Sequence, residues 1–254
     1  MNTIVLNLGQ DSWQMEYEDG AIMNGNTAEH IKEGAAVISE YADIIGIRAF
    51  PTLTDRERDY SEFVLHKFLE NVTVPVVNME SATVHPLQSL TDLMTIREHT
   101  KKDKPKVVLS WAPHIRSLPQ CVSNSFAEWM NKSEVDFVIT HPEGYELNEQ
   151  FSGKAKIICN QEEAFENADF IYAKNWSSFH DYGKVLGTHS DWIINDKKMQ
   201  LTNHAKFMHC LPTRRNVEVA DDVLDSDYSI VINQAANREF AAQKVMKNIL
   251  EGVG

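Results

Sequence analysis

The chain has 254 residues, 37 acidic against 24 basic side chains and a net charge of -13, so it lacks the basic footprint that nucleic acid or an anionic membrane requires of a partner. Its three cysteines, Cys121, Cys159 and Cys210, have no Cys-x-x-Cys spacing and cannot all pair; a reducing compartment, the cytoplasm, and no zinc site are expected. No apolar run approaches a membrane span, and the length suffices for one large or two modest cores.

Residues 3–8 are β-branched and Leu-rich and predict a strand, in place of the basic stretch and long apolar core of a secretory leader. The loop that follows, residues 13–29, is rich in acids, Gly and Met and has no period; loops of that length are usually functional or disordered. A helix is predicted over 29–41, where Ile31, Ala35, Ile38 and Tyr41 recur near helical spacing. A strand over 43–49, a helix over 58–70, a strand over 74–79 and a helix over 87–100 complete the first half. The last of these opens at His85-Pro86-Leu87-Gln88. Pro belongs in a first helical turn, and a His and a Gln three residues apart there can stand beside free backbone N–H groups. That suits an anion, or no more than a helix cap.

The segment Lys101-Lys102-Asp103-Lys104-Pro105 adds nothing to a core and is the best domain boundary. Beyond it, strands are predicted over 106–111, 137–141, 156–159, 170–173, 207–210 and 229–232, and helices over 127–132, 161–167 and 235–250. Strand and helix alternate through both halves, which predicts an α/β fold of two doubly wound parallel-sheet domains facing a cleft.

The second half is organised around Phe207-Met208-His209-Cys210-Leu211-Pro212-Thr213-Arg214-Arg215-Asn216. Pro212 has no N–H and biases Leu211 toward extended geometry, so the strand stops pairing there. A thiol, carbonyls released from the sheet and two guanidiniums then gather at a strand's carboxyl end, where open α/β sheets bind ligands, and they suit an anionic one. A buried strand with a core Cys and two solvated Arg is the plainer reading. The dinucleotide, P-loop, zincin and hydrolase patterns are absent from the sequence. A nicotinamide-dependent oxidoreductase fits the alternation but lacks its glycine fingerprint.

Taken together, about a domain apart and in this order, His85-Pro86-Leu87-Gln88 and His209-Cys210-Leu211-Pro212, followed by Asn237-Arg238, resemble the motifs of the carbamoyltransferases. Four further stretches are similar to the branch that acts on N-acylated ornithines: Asn78-Met79-Glu80-Ser81-Ala82-Thr83, Ser110-Trp111-Ala112-Pro113-His114, Thr140-His141-Pro142-Glu143-Gly144-Tyr145 and Tyr172-Ala173-Lys174-Asn175-Trp176. The resemblance covers essentially the whole chain. It implies a carbamoyl-phosphate-binding domain over 1–100, an acylornithine-binding domain over 101–234 and a final helix, 235–254, that returns to the first domain. It also implies a step of arginine biosynthesis with no metal or organic cofactor, carried out by a homotrimer.

Carried over residue by residue, the resemblance gives Arg48, His85, Gln88, Cys210 and Arg238 to the transferred group. Arg48 bridges phosphate and carbonyl oxygens, His85 donates to the carbamoyl oxygen, and Gln88 and the carbonyls near Cys210 and Leu211 orient the carbamoyl NH2, with Arg238 adding positive charge. Trp13 closes this site from a neighbouring subunit, reached by the 13–29 loop. Glu80, His114, Lys174 and Arg214 hold the acylornithine, and Ala28 borders its acyl group. Lys174 and Arg214 are the cations that a substrate bearing carboxylates needs.

Two departures from the family pattern matter. Its members carry a Ser-x-Arg-Thr-Arg phosphate loop before the position of Thr3, and the sequence from Met1 has none. A first domain incomplete by that loop, one strand and two helices is therefore expected, with little turnover by the 254 residues alone and a silent subunit as the rival reading. The second departure concerns the acyl group. Acetyl-specific relatives have Glu where this chain has Ala28, and Lys where it has Glu218; succinyl-specific ones have Pro at the first position. A Glu about 4 Å from a succinyl carboxylate would repel it by roughly 4 kcal/mol at an effective dielectric near 20. The resemblance thus implies N-succinylornithine over N-acetylornithine, provided that Glu218 points away or pairs with Arg215.

Overall fold

The computed structural model of the chain describes residues 2–9 and 13–252. In order, its elements are β1 (Met15–Glu16), β2 (Glu29–His30), α1 (Ile31–Glu40), β3 (Ile45–Arg48), α2 (Arg56–Tyr60), α3 (Phe63–Leu69), β4 (Val76–Glu80) and α4 (Pro86–His99). The second half has β5 (Lys106–Trp111), α5 (Cys121–Asn131), β6 (Asp136–Thr140), α6 (Glu149–Ser152), β7 (Lys156–Ile157), α7 (Gln161–Phe165) and β8 (Phe170–Lys174). A 3-10 turn (Ser190–Trp192), α8 (Asp196–Met199), β9 (Lys206–Met208), α9 (Asp221–Leu224) and α10 (Val231–Leu250) follow.

Every strand pairing is parallel, as the alternation of strand and helix requires. The second half forms a five-stranded sheet of order β7-β6-β5-β8-β9, and β3 pairs with β4 in the first. Period-2 alternation sends the central strands' side chains to two cores. Val107, Leu109, Trp111, Phe170 and Tyr172 pack on one face with Phe126 and Phe137, while Val108, Ile171, Ala173 and Phe207 pack on the other with Phe165 and Val223. Each fully buried large apolar side chain contributes about 1.5 to 3 kcal/mol. A smaller core joins Ile31, Ala35, Ile45, Ile47, Leu65 and Phe68.

Four predicted elements differ from those observed, one of them the helix over 127–132, which is α5 and begins six residues earlier, at Cys121. Residues 3–8 form no strand: no described strand runs beside them to take up their backbone groups, and Val5 is 86% exposed. The predicted helix over 58–70 is two helices, α2 and α3, broken at Glu62, whose φ is +54°. Residues 229–232 make one bridge, Phe207 with Ser229, before entering α10, so the last helix begins four residues earlier than its apolar spacing indicated.

The break at Glu62 has a physical cause. Its carboxylate accepts hydrogen bonds from Ser81 Oγ (2.8 Å), the Ala82 N–H (3.1 Å), the Thr83 N–H (2.8 Å) and Thr83 Oγ1 (2.5 Å). It thereby pins the turn that leads to His85. α4 continues from that turn and is covered by α5 and α10. Asn237 of α10 donates to Thr95 Oγ1 (3.0 Å) and Glu98 (2.7 Å), and Ile96 is buried in the second half's core. Replacing Glu62 by Ala leaves these donors unpaired. Glu62→Ala is expected to lower stability by about 2 to 3 kcal/mol in urea unfolding, the value of hydrogen bonds to a charged acceptor; a loss under about 0.5 kcal/mol would show that the turn holds without it.

Candidate active site

From β5 the chain builds outward through β6 and β7, then returns to lay β8 and β9 on the other side of β5. The strand order therefore reverses between β5 and β8, whose carboxyl ends, Trp111 and Lys174, lie side by side. A crevice opens at such a point because the connections leave in opposite directions. Lys174 is half-buried there, and its ammonium has neither a hydrogen bond nor an ion pair among the described residues. It stands within electrostatic reach of His85, Cys121, His209, Cys210 and Glu218. A buried ammonium without a counter-ion is costly, so the position suits a bound anion.

The first half supplies the opposite wall. Arg48 ends β3; its Nε donates to Glu80 Oε2 at the end of β4 (2.9 Å), and its Nη2 forms an ion pair with the same oxygen (2.7 Å). Cys121 Sγ donates to the other oxygen at 3.2 Å. Glu80, assigned from sequence to the amino-acid substrate, is thus joined to the residue assigned to carbamoyl phosphate, and both its oxygens have protein partners. His85 caps α4 with its Nε2 3.9 Å from Glu80 Oε2 and its Nδ1 buried without a hydrogen-bond partner among the described residues. Burial pushes its pKa down to about 4 against the pull of Glu80, so the ring is neutral at pH 7. Gln88, one turn on, donates its Nε2 to Asp92 at 2.7 Å.

On the second half, β9 ends at Met208 and the chain turns through His209 to Arg214. Leu211 has φ +51° and precedes a cis peptide to Pro212, where the sequence predicted extended geometry. Its N–H donates to His209 Nδ1 (3.0 Å), which holds the turn. Burial raises the pKa values of Cys210 and Cys121, so both are thiols at neutral pH and neither is a ready nucleophile. Arg214 Nε donates to His114 Nε2 at 3.1 Å, and His114 Nδ1 stands 3.0 Å from both the carbonyl and the N–H of Arg116, which fix the ring.

Glu218 is buried, not paired with Arg215, which instead binds Asp221 and Asp225. Its Oε2 accepts the Arg214 N–H (2.6 Å) and Thr213 Oγ1 (3.1 Å), and its Oε1 lies 3.6 Å from His209 Nε2. Burial opposes the charge, yet His209, the Arg214 N–H and Lys174 hold the Glu218 pKa below the usual range. Burial likewise keeps His209 neutral. Glu218 is therefore an internal brace of this turn.

Arg238 is exposed on α10, yet its charge reaches His85 and Asp92. Trp13 and Ala28 come from the 13–29 loop, at the start of β1 and β2. The Ala28 N–H donates to the Gln14 carbonyl (2.9 Å) where β1 and β2 begin, and no hydrogen bond or ion pair among the described residues ties either to Arg48, His85 or Arg214. An apolar cavity of about 620 Å³ lies between residues 4–9 and β3; of the predicted site residues only Arg48 lines it. Among the described residues no group of three His, Cys, Asp or Glu side chains is placed to hold a metal.

The family model for the aspartate/ornithine carbamoyltransferase carbamoyl-P binding domain matches residues 2–98, and that for the Asp/Orn binding domain matches residues 119–249. The chain belongs to the aspartate/ornithine carbamoyltransferase family. It is 53% identical over 255 residues to N-succinylornithine carbamoyltransferase of Bacteroides thetaiotaomicron, spanning all of this chain and 80% of that protein. It is 35% identical to N-acetylornithine carbamoyltransferase of Xylella fastidiosa, spanning 96% of this chain and 79% of that protein. Among solved structures, a variant of N-acetyl-L-ornithine transcarbamylase complexed with carbamyl phosphate and N-succinyl-L-norvaline superposes with a TM-score of 0.89. That match is 34% identical and covers 97% of this chain and 80% of the other.

In this carbamoyltransferase chain the two motifs and Arg48, Glu80, His114, Lys174 and Arg214 surround one crevice. Sequence reasoning missed Glu62, Cys121 and Asp92 as the groups that hold them; Gln88 and Asp92, four apart on a helix, were the one legible signal. A prediction follows from His85. Its folded pKa lies below the unfolded value, so its contribution to stability is full above pH 6.5 and is lost as pH falls toward 4. The imidazole Cε1–H resonance of His85 is expected to titrate near pH 4, and a midpoint near 6.5 would contradict its burial.

Proposed function

We propose that the site transfers the carbamoyl group of carbamoyl phosphate to the δ-amine of N-succinyl-L-ornithine, giving N-succinyl-L-citrulline and phosphate. The observation that carries this reading is Lys174, a half-buried cation whose ammonium has no partner among the described residues and has the His85 and Cys210 motifs in its electrostatic reach. The neutral amine attacks the carbonyl carbon to form the new C–N bond, the C=O electrons move onto oxygen, and their return breaks the C–O bond to phosphate, whose departing oxygen takes the proton that the amine loses. Arg48 and the neutral His85 donate to the oxygen that gains charge. Lys174 and the Arg214–His114 pair take the substrate's carboxylates, which positions the amine for attack.

The succinyl group is favoured by the 53% identity to an enzyme of that name, against 35% for an acetyl-type one, and by Ala28. Glu218, the carboxylate that would have opposed it, is turned inward. The assembly we propose with it is a homotrimer in which the 13–29 loop reaches a neighbouring subunit. This accounts for a loop that ties Ala28 to Gln14, next to Trp13, and exposes Ile22 and Met23.

Arg48→Ala and His85→Ala are expected to lower kcat by about 100-fold or more with little change in KM for the acylornithine, and Lys174→Ala and Arg214→Ala to raise that KM by roughly 10-fold or more. Exchange of the two patterns would overturn the division of the site. The acyl assignment is read from a ratio, which does not depend on the absolute rate: kcat/KM for N-succinyl-L-ornithine over that for N-acetyl-L-ornithine is expected to exceed one. Ala28→Glu should lower the ratio by about tenfold or more. A wild-type ratio below one would identify the acetyl compound as the substrate.

A further inference from the structure

Asp92 belongs to neither motif, yet it touches the partners of both. It lies on α4 one turn beyond Gln88, fully buried. Its Oδ1 accepts from Gln88 Nε2 (2.7 Å) and from Gln234 Nε2 (2.6 Å), in the first turn of α10. Gln234 Oε1 in turn accepts the His209 N–H at 2.9 Å. A single oxygen atom therefore stands between the helix that opens at His85 and the turn that carries Cys210. Tyr172 of β8, Cys210 after β9 and Arg238 of α10 are the ionisable groups facing it. Neither Asp92 Oδ2 nor the Tyr172 hydroxyl has a hydrogen-bond partner among the described residues.

A glutamine amide has a donating and an accepting end of nearly the same shape, so its surroundings decide which way it points. An ionised carboxylate only accepts, and in the neutral acid the proton can sit on Oδ2, beside Tyr172, so Oδ1 accepts in both states. Gln88 must then turn its NH2 inward. Its Oε1 accepts no hydrogen bond from the described residues.

We propose that Asp92 is a positioning residue for carbamoyl transfer: it turns the Gln88 amide so that Oε1 faces the crevice as the acceptor for the carbamoyl NH2. Through Gln234 it keeps that acceptor in register with the His209 turn. The proposal rests on the reaction proposed above. It adds a direction to Gln88 that neither motif specifies, and it gives the burial of a carboxylic acid between two domains a purpose in the chemistry.

Asp92→Leu removes the acceptor at similar volume, whereas Asp92→Asn retains an oxygen that can accept both bonds. Asp92→Leu is expected to lower kcat/KM for carbamoyl phosphate by about 100-fold and Asp92→Asn by less than about fivefold. In a Gln88→Ala background, Asp92→Leu should cost less than about threefold more, because the group it orients is gone. Equal losses in both backgrounds would reduce Asp92 to a fold residue and overturn the proposal. Asp92→Ser, whose hydroxyl is too short to reach both amides, takes the place of Asp92→Leu if that variant does not fold. A second readout needs no turnover. The side-chain amide resonances of Gln88 and Gln234 in 1H–15N spectra are expected to move together in Asp92→Leu and to stay near native in Asp92→Asn. An unmoved Gln88 amide overturns the proposal even in an active enzyme, and a moved one with no carbamoyl transfer overturns only the reaction.

Discussion

Where β5 and β8 end side by side, their last backbone groups leave the sheet and must find partners in a nearly dry interior. The Ala112 N–H reaches the Lys174 carbonyl (3.1 Å), and Asn175 Nδ2 donates to the Ala112 carbonyl (2.7 Å). Trp111 Nε1 donates to the Trp176 carbonyl at 2.9 Å, while Trp176 Nε1 donates to that of Tyr145 at 2.8 Å. These bonds fasten the two chain exits together before they diverge. Lys174 and the His114 loop are carried on those exits, so the crevice inherits its rigidity from the sheet rather than from its own side chains.

The electrostatics follow from the same placement. An acidic protein that binds anions must concentrate its few cations and shield them from its own carboxylates. Arg48 is held by Glu80, and Arg214 is kept on the His114 ring. Glu218, a carboxylate within reach of Lys174, turns one oxygen to the Thr213–Arg214 turn and the other to His209. Burial keeps His85 and His209 neutral and the two thiols protonated, so positive charge remains on Lys and Arg. A bound phosphate or carboxylate meets the half-buried Lys174 ammonium and guanidiniums already held in place by Glu80 and His114, which costs little reorganisation.

α4 shows how closely fold and site are built as one. The face it buries is Gln88, Ser89, Thr91, Asp92 and Thr95, with Ile96 the apolar exception. Such a helix is held by hydrogen bonds to α10 and by the turn that Glu62 pins, and only slightly by apolar packing. Polar networks of this kind are strongly destabilising when half-satisfied, and they specify one arrangement when complete. The arrangement specified here brings the two halves of the chain together at Gln88 and His209.

The sequence by itself determined the alternation of strand and helix, the parallel sheets, the start of α4 at His85 and the family motifs. Each depends on residues close in the chain, on period-2 or period-3.6 burial or on local steric rules at Pro. Only the tertiary structure decided what surrounds those motifs. That Glu62 breaks a helix to hold Ser81 to Thr83, that Glu80 binds Arg48, that Glu218 turns inward and that Asp92 joins Gln88 to Gln234 all depend on partners from 4 to 142 residues away. A buried carboxylate looks in sequence like a solvated one, since what distinguishes them is the set of donors that packing brings within reach. The unpaired residues 3–8 make the same point in reverse. Their β-branched composition favours a strand, but a strand is a pairing, and no described neighbour supplies one.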